Sequence, residues 1–249
     1  MKIIFPEITN NNIAKEATSH FDDIEFLSTD SLNQAVKLLK TGQADSIITG
    51  IDYPTRDVIL ALKDQIPLKS SCFSSCFICQ KEQQTLAIAD GGVVKYPDQA
   101  QLYTIIEDTA KTFQTFTGNQ PRIALLSYST KGSGAKDSSE FQDYYDCIQE
   151  ITNHHPDWLI DGEMQLDCAI NPRIADKKAP DSILKGQANI LITPDLNSGN
   201  ILYKSLEQFG GFRIAGPILQ GFKIPLADLS RGSTVEDIIL TIEVIRNQL

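Results

Sequence analysis

Short apolar runs, each closed by turn residues, alternate with amphipathic stretches along most of this chain. Apolar strands buried on both faces need helices to cover them, so this order specifies an α/β fold with mostly parallel sheets. "KIIF", "DSIITG" at 45–50, "RIALLSYS", "DWLID", "ANILITPD" and "GPILQG" read as strands, the last of these closing the sheet. "CFSSCFIC" and "TLAIAD" read as a strand pair joined by the polar "QKEQQ". Between the first two strands, Leu32, Ala35, Val36, Leu38 and Leu39 fall at helical spacing, with Gly42 placed to end the helix. "TRDVILALKDQI", "PDQAQLYTIIEDTAKTFQTFTG", "FQDYYDCIQEITNH" and "STVEDIILTIEVIRNQL" carry the same helical pattern. There is no internal repeat and no low-complexity linker.

At 249 residues the chain has room for one large domain or two of ordinary size. Its net charge of −10 argues against general nucleic-acid binding, which needs a basic face, yet permits a local cationic pocket for a small phosphorylated ligand. No apolar run approaches the roughly 18 residues of a membrane span, and "MKIIFPEITNNN" lacks the apolar core of a signal peptide. Five cysteines in no secreted pattern suit a reducing cytoplasm. The expectation is a soluble cytoplasmic protein with no membrane or nucleic-acid partner.

Cys72, Cys76 and Cys79 stand in C-x3-C-x2-C spacing, which some iron–sulfur enzymes use to hold a cluster. In an extended strand, however, Cys72, Cys76 and Ile78 share one face, and Phe73, Phe77 and Cys79 the other. Three thiols divided between two faces cannot converge on one cluster. These cysteines read as small buried hydrophobes.

Four segments carry more polar chemistry than folding requires, and each follows a strand, where open α/β folds place their ligand crevice. "SYSTKGSG" offers small residues, the hydroxyls of Ser129 and Thr130, and the positive charge of Lys131. "DGEMQLDCA" brings Asp161, Glu163 and Asp167 close in sequence, for a metal or for acid–base work, although His154 and His155 point apart. "PDLNSGNILYK" places Asn197, Ser198 and Asn200 at a turn feeding a helix whose free amides suit an anion. In "DLSRGSTVED", Ser233 and Glu236 fit a capping box. Ser230 and Arg231 then stand ahead of a helix N-terminus that favours phosphate, with Asp237 turned toward the same mouth.

Taken in order, "LLSYSTKGSG", "DGEMQLDCA", "KAPDSILKGQANILITPDLNSGNILYK", "GPILQG" and "DLSRGSTVEDI" resemble the phosphate acetyltransferase family, within the wider phosphate acetyl/butyryl transferases. The resemblance implies reversible transfer of an acetyl group between acetyl phosphate and coenzyme A, the latter a substrate, with no metal or other cofactor. It also implies two three-layer α/β domains of isocitrate/isopropylmalate dehydrogenase type, with a cleft between them, and a homodimer. Here the domains would be 1–68 plus 214–249, and 69–213. By matching motifs Asp237 would deprotonate the thiol, Ser230 would donate to the acyl phosphate, and Arg231 and Arg56 would hold anionic groups. Ser129, Thr130, Lys131, Asn197, Asn200 and Gln220 would complete the substrate contacts. The chain departs from the family at the front, where the domain is shorter and the family's second substrate arginine, in an "LRKHKG"-like context, has no match. The expectations are therefore an acyltransferase, for acetyl or another short acyl phosphate, or a non-catalytic relative that binds coenzyme A or an acyl phosphate.

Overall fold

A computed structural model of the chain describes residues 1–134, 137 and 139–249. Its strands are β1 (Lys2–Ile4), β2 (Glu25–Leu27), β3 (Ser46–Thr49), β4 (Ser74–Lys81), β5 (Gln84–Ala89), β6 (Arg122–Leu126), β7 (Leu159–Met164), β8 (Ile190–Ile192), β9 (Arg213–Gln220) and β10 (Leu226–Asp228). The helices are α1 (Asn12–Thr18), α2 (Leu32–Lys40), α3 (Thr55–Leu62), α4 (Gln99–Thr117), α5 (Gln142–His154), α6 (Leu166–Ile170), α7 (Pro172–Lys178), α8 (Leu196–Gln208) and α9 (Val235–Gln248).

Local chemistry explains the helix ends. Ser31 caps α2 through the amide of Gln34. Asp98 and Gln101 form a reciprocal capping box on α4, which Gly118 ends at φ 69°.

The strands form one sheet in the order β2-β1-β3-β10-β9-β4-β5-β8-β6-β7. One wing, β2-β1-β3-β10, is parallel throughout, as is the other, β5-β8-β6-β7. Between them β9 and β4 pair antiparallel with each other and with their flanking strands. The mostly parallel α/β class stands as read, the two halves being wings of a continuous sheet.

"GPILQG" is not the last strand: β10 follows it and ties β9 to β3. Three residues are too few to show a period, which hid β10 in the sequence. Likewise β7 runs past "DWLID" through Gly162 and Glu163, neither a strand former, because Glu163 is buried by its partners rather than by propensity.

Cys76 and Ile78 enter the core beneath α4, while Phe77 and Cys79 enter the core beneath α8. The alternation of faces holds for β4. Cys72 lies ahead of the strand and is half-buried, so it takes no part in the alternation. Among the described residues no cluster of histidine, cysteine or acidic side chains is arranged to hold a metal ion, and no helix is long and apolar enough to cross a membrane.

Candidate active site

A cavity of about 430 Å³ opens between the wings. One wall is the loop after β3, including Gly50 and Tyr53, with Thr55 at the start of α3 and the loop after β10, including Ser230 and Arg231. Opposite stand Gly91 and Gly92 after β5 and the Asn197, Asn200, Tyr203 and Lys204 side of α8. Phe77 of β4 and Pro217 of β9 close the space between them. Most of these groups lie just beyond strand carboxyl ends, as the fold class demands.

Each wall is pinned by a buried carboxylate. Glu7, in the 3-10 turn Pro6–Thr9, accepts from the Gly50 amide at 2.8 Å and the Thr49 hydroxyl at 3.0 Å. Asp90 accepts from the amides of Ser75, Gly92, Val93 and Val94 and from the Ser75 hydroxyl. Helix α8 lies flush on that second loop: a Cβ on Gly199 would fall 2.3 Å from the Asp90 carbonyl oxygen. Tyr203 stacks on Phe77 at 3.8 Å between ring centroids.

No acidic side chain and no histidine lines the cavity among the described residues, and its two charged groups are Lys204 and Arg231. Neither enters an ion pair among those residues. Lys204 Nζ sits 4.9 Å above the Tyr203 ring centroid, and Arg231 is exposed. In a chain of net charge −10, this is a local reversal of sign suited to an anion. Behind the wall lie Glu7 and Asp228. Burial raises both carboxyls, that of Asp228 to about 7, with the Thr55 hydroxyl opposing and the Glu7 charge adding to the rise.

Of the residues singled out from sequence, Ser230, Arg231, Asn197 and Asn200 meet at this cavity. Arg56 is exposed beside Thr55 at the rim and does not line it. Asp237 does not face the mouth. It is buried, its Oδ1 accepts from the Ile214 amide at 2.7 Å, and its Oδ2 accepts from the amide and hydroxyl of Thr234. The capping box of α9 is thus Thr234 with Asp237, not Ser233 with Glu236, one residue later than the sequence pattern placed it. Asp237→Ala is expected to lower stability by about 2–4 kcal/mol, losing a cap and orphaning the Ile214 amide, as measured by urea unfolding.

Gln220 is also elsewhere: buried, it accepts from Thr109 at 3.1 Å and donates to Thr112 at 3.0 Å. Ser129, Thr130 and Lys131 lie on the far wing. Ser129 donates to Glu163 at 2.9 Å, Thr130 accepts from the Gln165 amide, and Lys131 pairs with Asp161. That loop and the "DGEM" acids satisfy one another, which is why both looked over-specified in sequence.

The α8 amides are largely engaged as well, Ser198's by the Asp195 cap and Leu196's by the Lys95 carbonyl. His155 bonds Glu107 and stacks on Trp158, while His154 bonds Tyr103. Sequence reasoning passed over Thr55, Lys204, Asp228 and Glu7. Asp228 sat inside a motif already quoted, and Glu7 carried no local signal at all.

Fold and cavity together define an α/β protein with, among the described residues, an acid-free, cationic cleft between two wings of one sheet. A family model described as "Phosphate acetyl/butaryl transferase" matches residues 2–245, and the chain belongs to that family. It is 38% identical over 220 residues to the phosphate acetyltransferase of Treponema pallidum (strain Nichols), covering 84% of this chain and 65% of that protein. To the phosphate acetyltransferase of Bacillus subtilis (strain 168) it is 37% identical over 203 residues, covering 81% of this chain and 62% of that protein. The chain thus spans somewhat less than two thirds of the length of these curated relatives. A phosphotransacetylase structure from Streptococcus pyogenes superposes with a TM-score of 0.84 at 30% identity, covering 100% of this chain and 93% of that one.

Proposed function

We propose that this chain transfers an acyl group, acetyl foremost, between an acyl phosphate and the thiol of coenzyme A. The observation that carries this reading is a cavity that, among the described residues, is free of acids and holds Arg231 and Lys204 with no ion-pair partner, between the wings of a strongly acidic chain. Both substrates are anions, and an acyl phosphate already contains a good leaving group. The protein therefore needs mainly to orient the pair and stabilise developing charge. In this reading Arg231 grips phosphate as a bidentate donor, Ser230 donates to the acyl phosphate, and Arg56 reaches in from the rim. Asn197 and Asn200 supply amide contacts, and the stacked Phe77–Tyr203 pair offers an apolar surface to the non-reacting part of the substrate. No metal or prosthetic group is required. The names of the relatives support acetyl as the group carried.

The wings would act as two lobes, 1–68 with 214–249 against 69–213, in a cytoplasmic homodimer. An assay of thioester formation from coenzyme A with acetyl, propionyl and butyryl phosphate is expected to show turnover, fastest with acetyl phosphate. Saturable binding of coenzyme A without turnover on any of them would instead make the chain a binding relative. The unmatched second arginine favours that alternative.

A further inference from the structure

The cavity has a polar mouth and an apolar floor. Arg231, Asn197 and Lys204 are exposed, and Ser230 and Asn200 half-buried, whereas Phe77, Tyr203, Pro217 and Leu229 line the same space as buried residues. The floor is shaped by a break in the sheet. Cys76 pairs with Ile218 and Ile78 with Ala215, so two residues of β9, Gly216 and Pro217, stand opposite the single Phe77. Gly216 takes φ +110° there. This is a β-bulge, which re-aims side chains and recurs beside binding sites. The Phe77 ring has little room to yield. Tyr203 stacks on it with centroids 3.8 Å and planes 15° apart, and a Cβ on Gly91 would fall 3.0 Å from Phe77 Cε2. Tyr203 is itself fixed, because α8 sits on the Asp90 carbonyl through Gly199. Leu229 directly precedes Ser230 and Arg231, so the floor begins one residue from the groups assigned to phosphate.

We propose that Phe77 sets the acyl-chain length this protein accepts: its clamped ring closes the floor against any tail longer than that of a very short acyl phosphate. This rests on the acyl-transfer reading given above. An acyl phosphate gripped at Ser230 and Arg231 turns its alkyl tail away from the polar mouth, because an apolar tail is stabilised where it leaves water. It then meets Leu229, Pro217 and the Phe77 ring. Acetyl ends there. Butyryl, with two further methylenes, has to displace a ring that is held on its face by Tyr203 and at its edge by Gly91. Closely packed interiors take up extra methylenes only at the cost of strain. A pocket fitted to one chain length discriminates by roughly 10–200-fold per methylene. Phe77 acts on specificity alone, since its ring offers no group that exchanges a proton or an electron pair with the reacting atoms.

The test is kcat/KM for acetyl, propionyl and butyryl phosphate, at saturating coenzyme A, in the wild type, Phe77→Leu, Phe77→Ala and Phe113→Leu. The ratio of two substrates is taken within one preparation, so a partly unfolded sample lowers both rates and leaves the ratio unmoved. The preference for acetyl over butyryl phosphate is expected to fall about 10-fold in Phe77→Leu and about 100-fold in Phe77→Ala. Phe113 is as deeply buried as Phe77, but it belongs to α4 and does not line the cavity. Phe113→Leu is therefore expected to lose stability and keep the wild-type preference. Phe77→Leu carries the test if Phe77→Ala does not fold. A preference within twofold of wild type in the Phe77 variants, an equal fall in Phe113→Leu, or a wild type that favours butyryl phosphate overturns the proposal. A wild type inactive on all three overturns the acyl-transfer reading, and the length limit falls with it.

Discussion

Arg231→Ala is expected to lower kcat/KM for the acyl phosphate by about 30–150-fold, the equivalent of about 2–3 kcal/mol for losing a charge-assisted hydrogen bond to a substrate anion. The side chain is exposed and has no ion-pair partner among the described residues, so the fold does not depend on it. The melting temperature should stay close to that of the wild type, which separates this loss from unfolding. Arg231→Lys restores part of the activity at most, because an ammonium cannot reproduce a planar two-point grip on phosphate. Steady-state kinetics at two ionic strengths reads the effect. A kcat/KM within twofold of wild type would remove Arg231 from the site and leave Lys204 as the remaining cation of the cavity.

Gly50→Ala is expected to cost about 3–5 kcal/mol, combining a strained backbone with an overpacked wall. Gly50 sits at φ +107°, and its added Cβ would fall 2.3 Å from Asp228 Oδ1, 2.6 Å from the Leu229 carbonyl oxygen and 2.7 Å from the Leu229 amide nitrogen. Two of those contacts are backbone, and the Leu229 amide is bonded to the Thr49 carbonyl at 2.5 Å, so that side of the wall has nowhere to move. In a chain of this size the expected fall in melting temperature is about 10 °C. Turnover should be lost with it, since the loops after β3 and β10 share the distorted contact. Gly42→Ala is the matched control. Its φ is +68° and nothing lies within 4 Å of an added Cβ, so it carries the backbone penalty alone. Equal melting temperatures for the two variants would show that the wall yields and the close packing is unimportant.

The fold class was legible because strand and helix periods are local properties. The pattern at 31–42 and the ends of α4 at Asp98 and Gly118 needed no partner to be read. Ser230, Arg231, Asn197 and Asn200 were found because a strand end and a polar turn are visible side by side in the chain. The misplaced polar side chains share one cause. Whether a polar side chain is free depends on partners distant in sequence: Asp237 is engaged by Ile214, 23 residues away, Glu7 by Gly50, 43 away, and Gln220 by Thr109, 111 away. The sequence by itself therefore determined the α/β architecture, the family and the segments that border the cleft. Only the tertiary structure decided which carboxylates are consumed in holding those segments, and that Asp228 lies buried behind the wall with neither oxygen hydrogen-bonded among the described residues. Hydrogen-bonding capacity is allotted by contacts across the whole chain, and no local pattern carries that information.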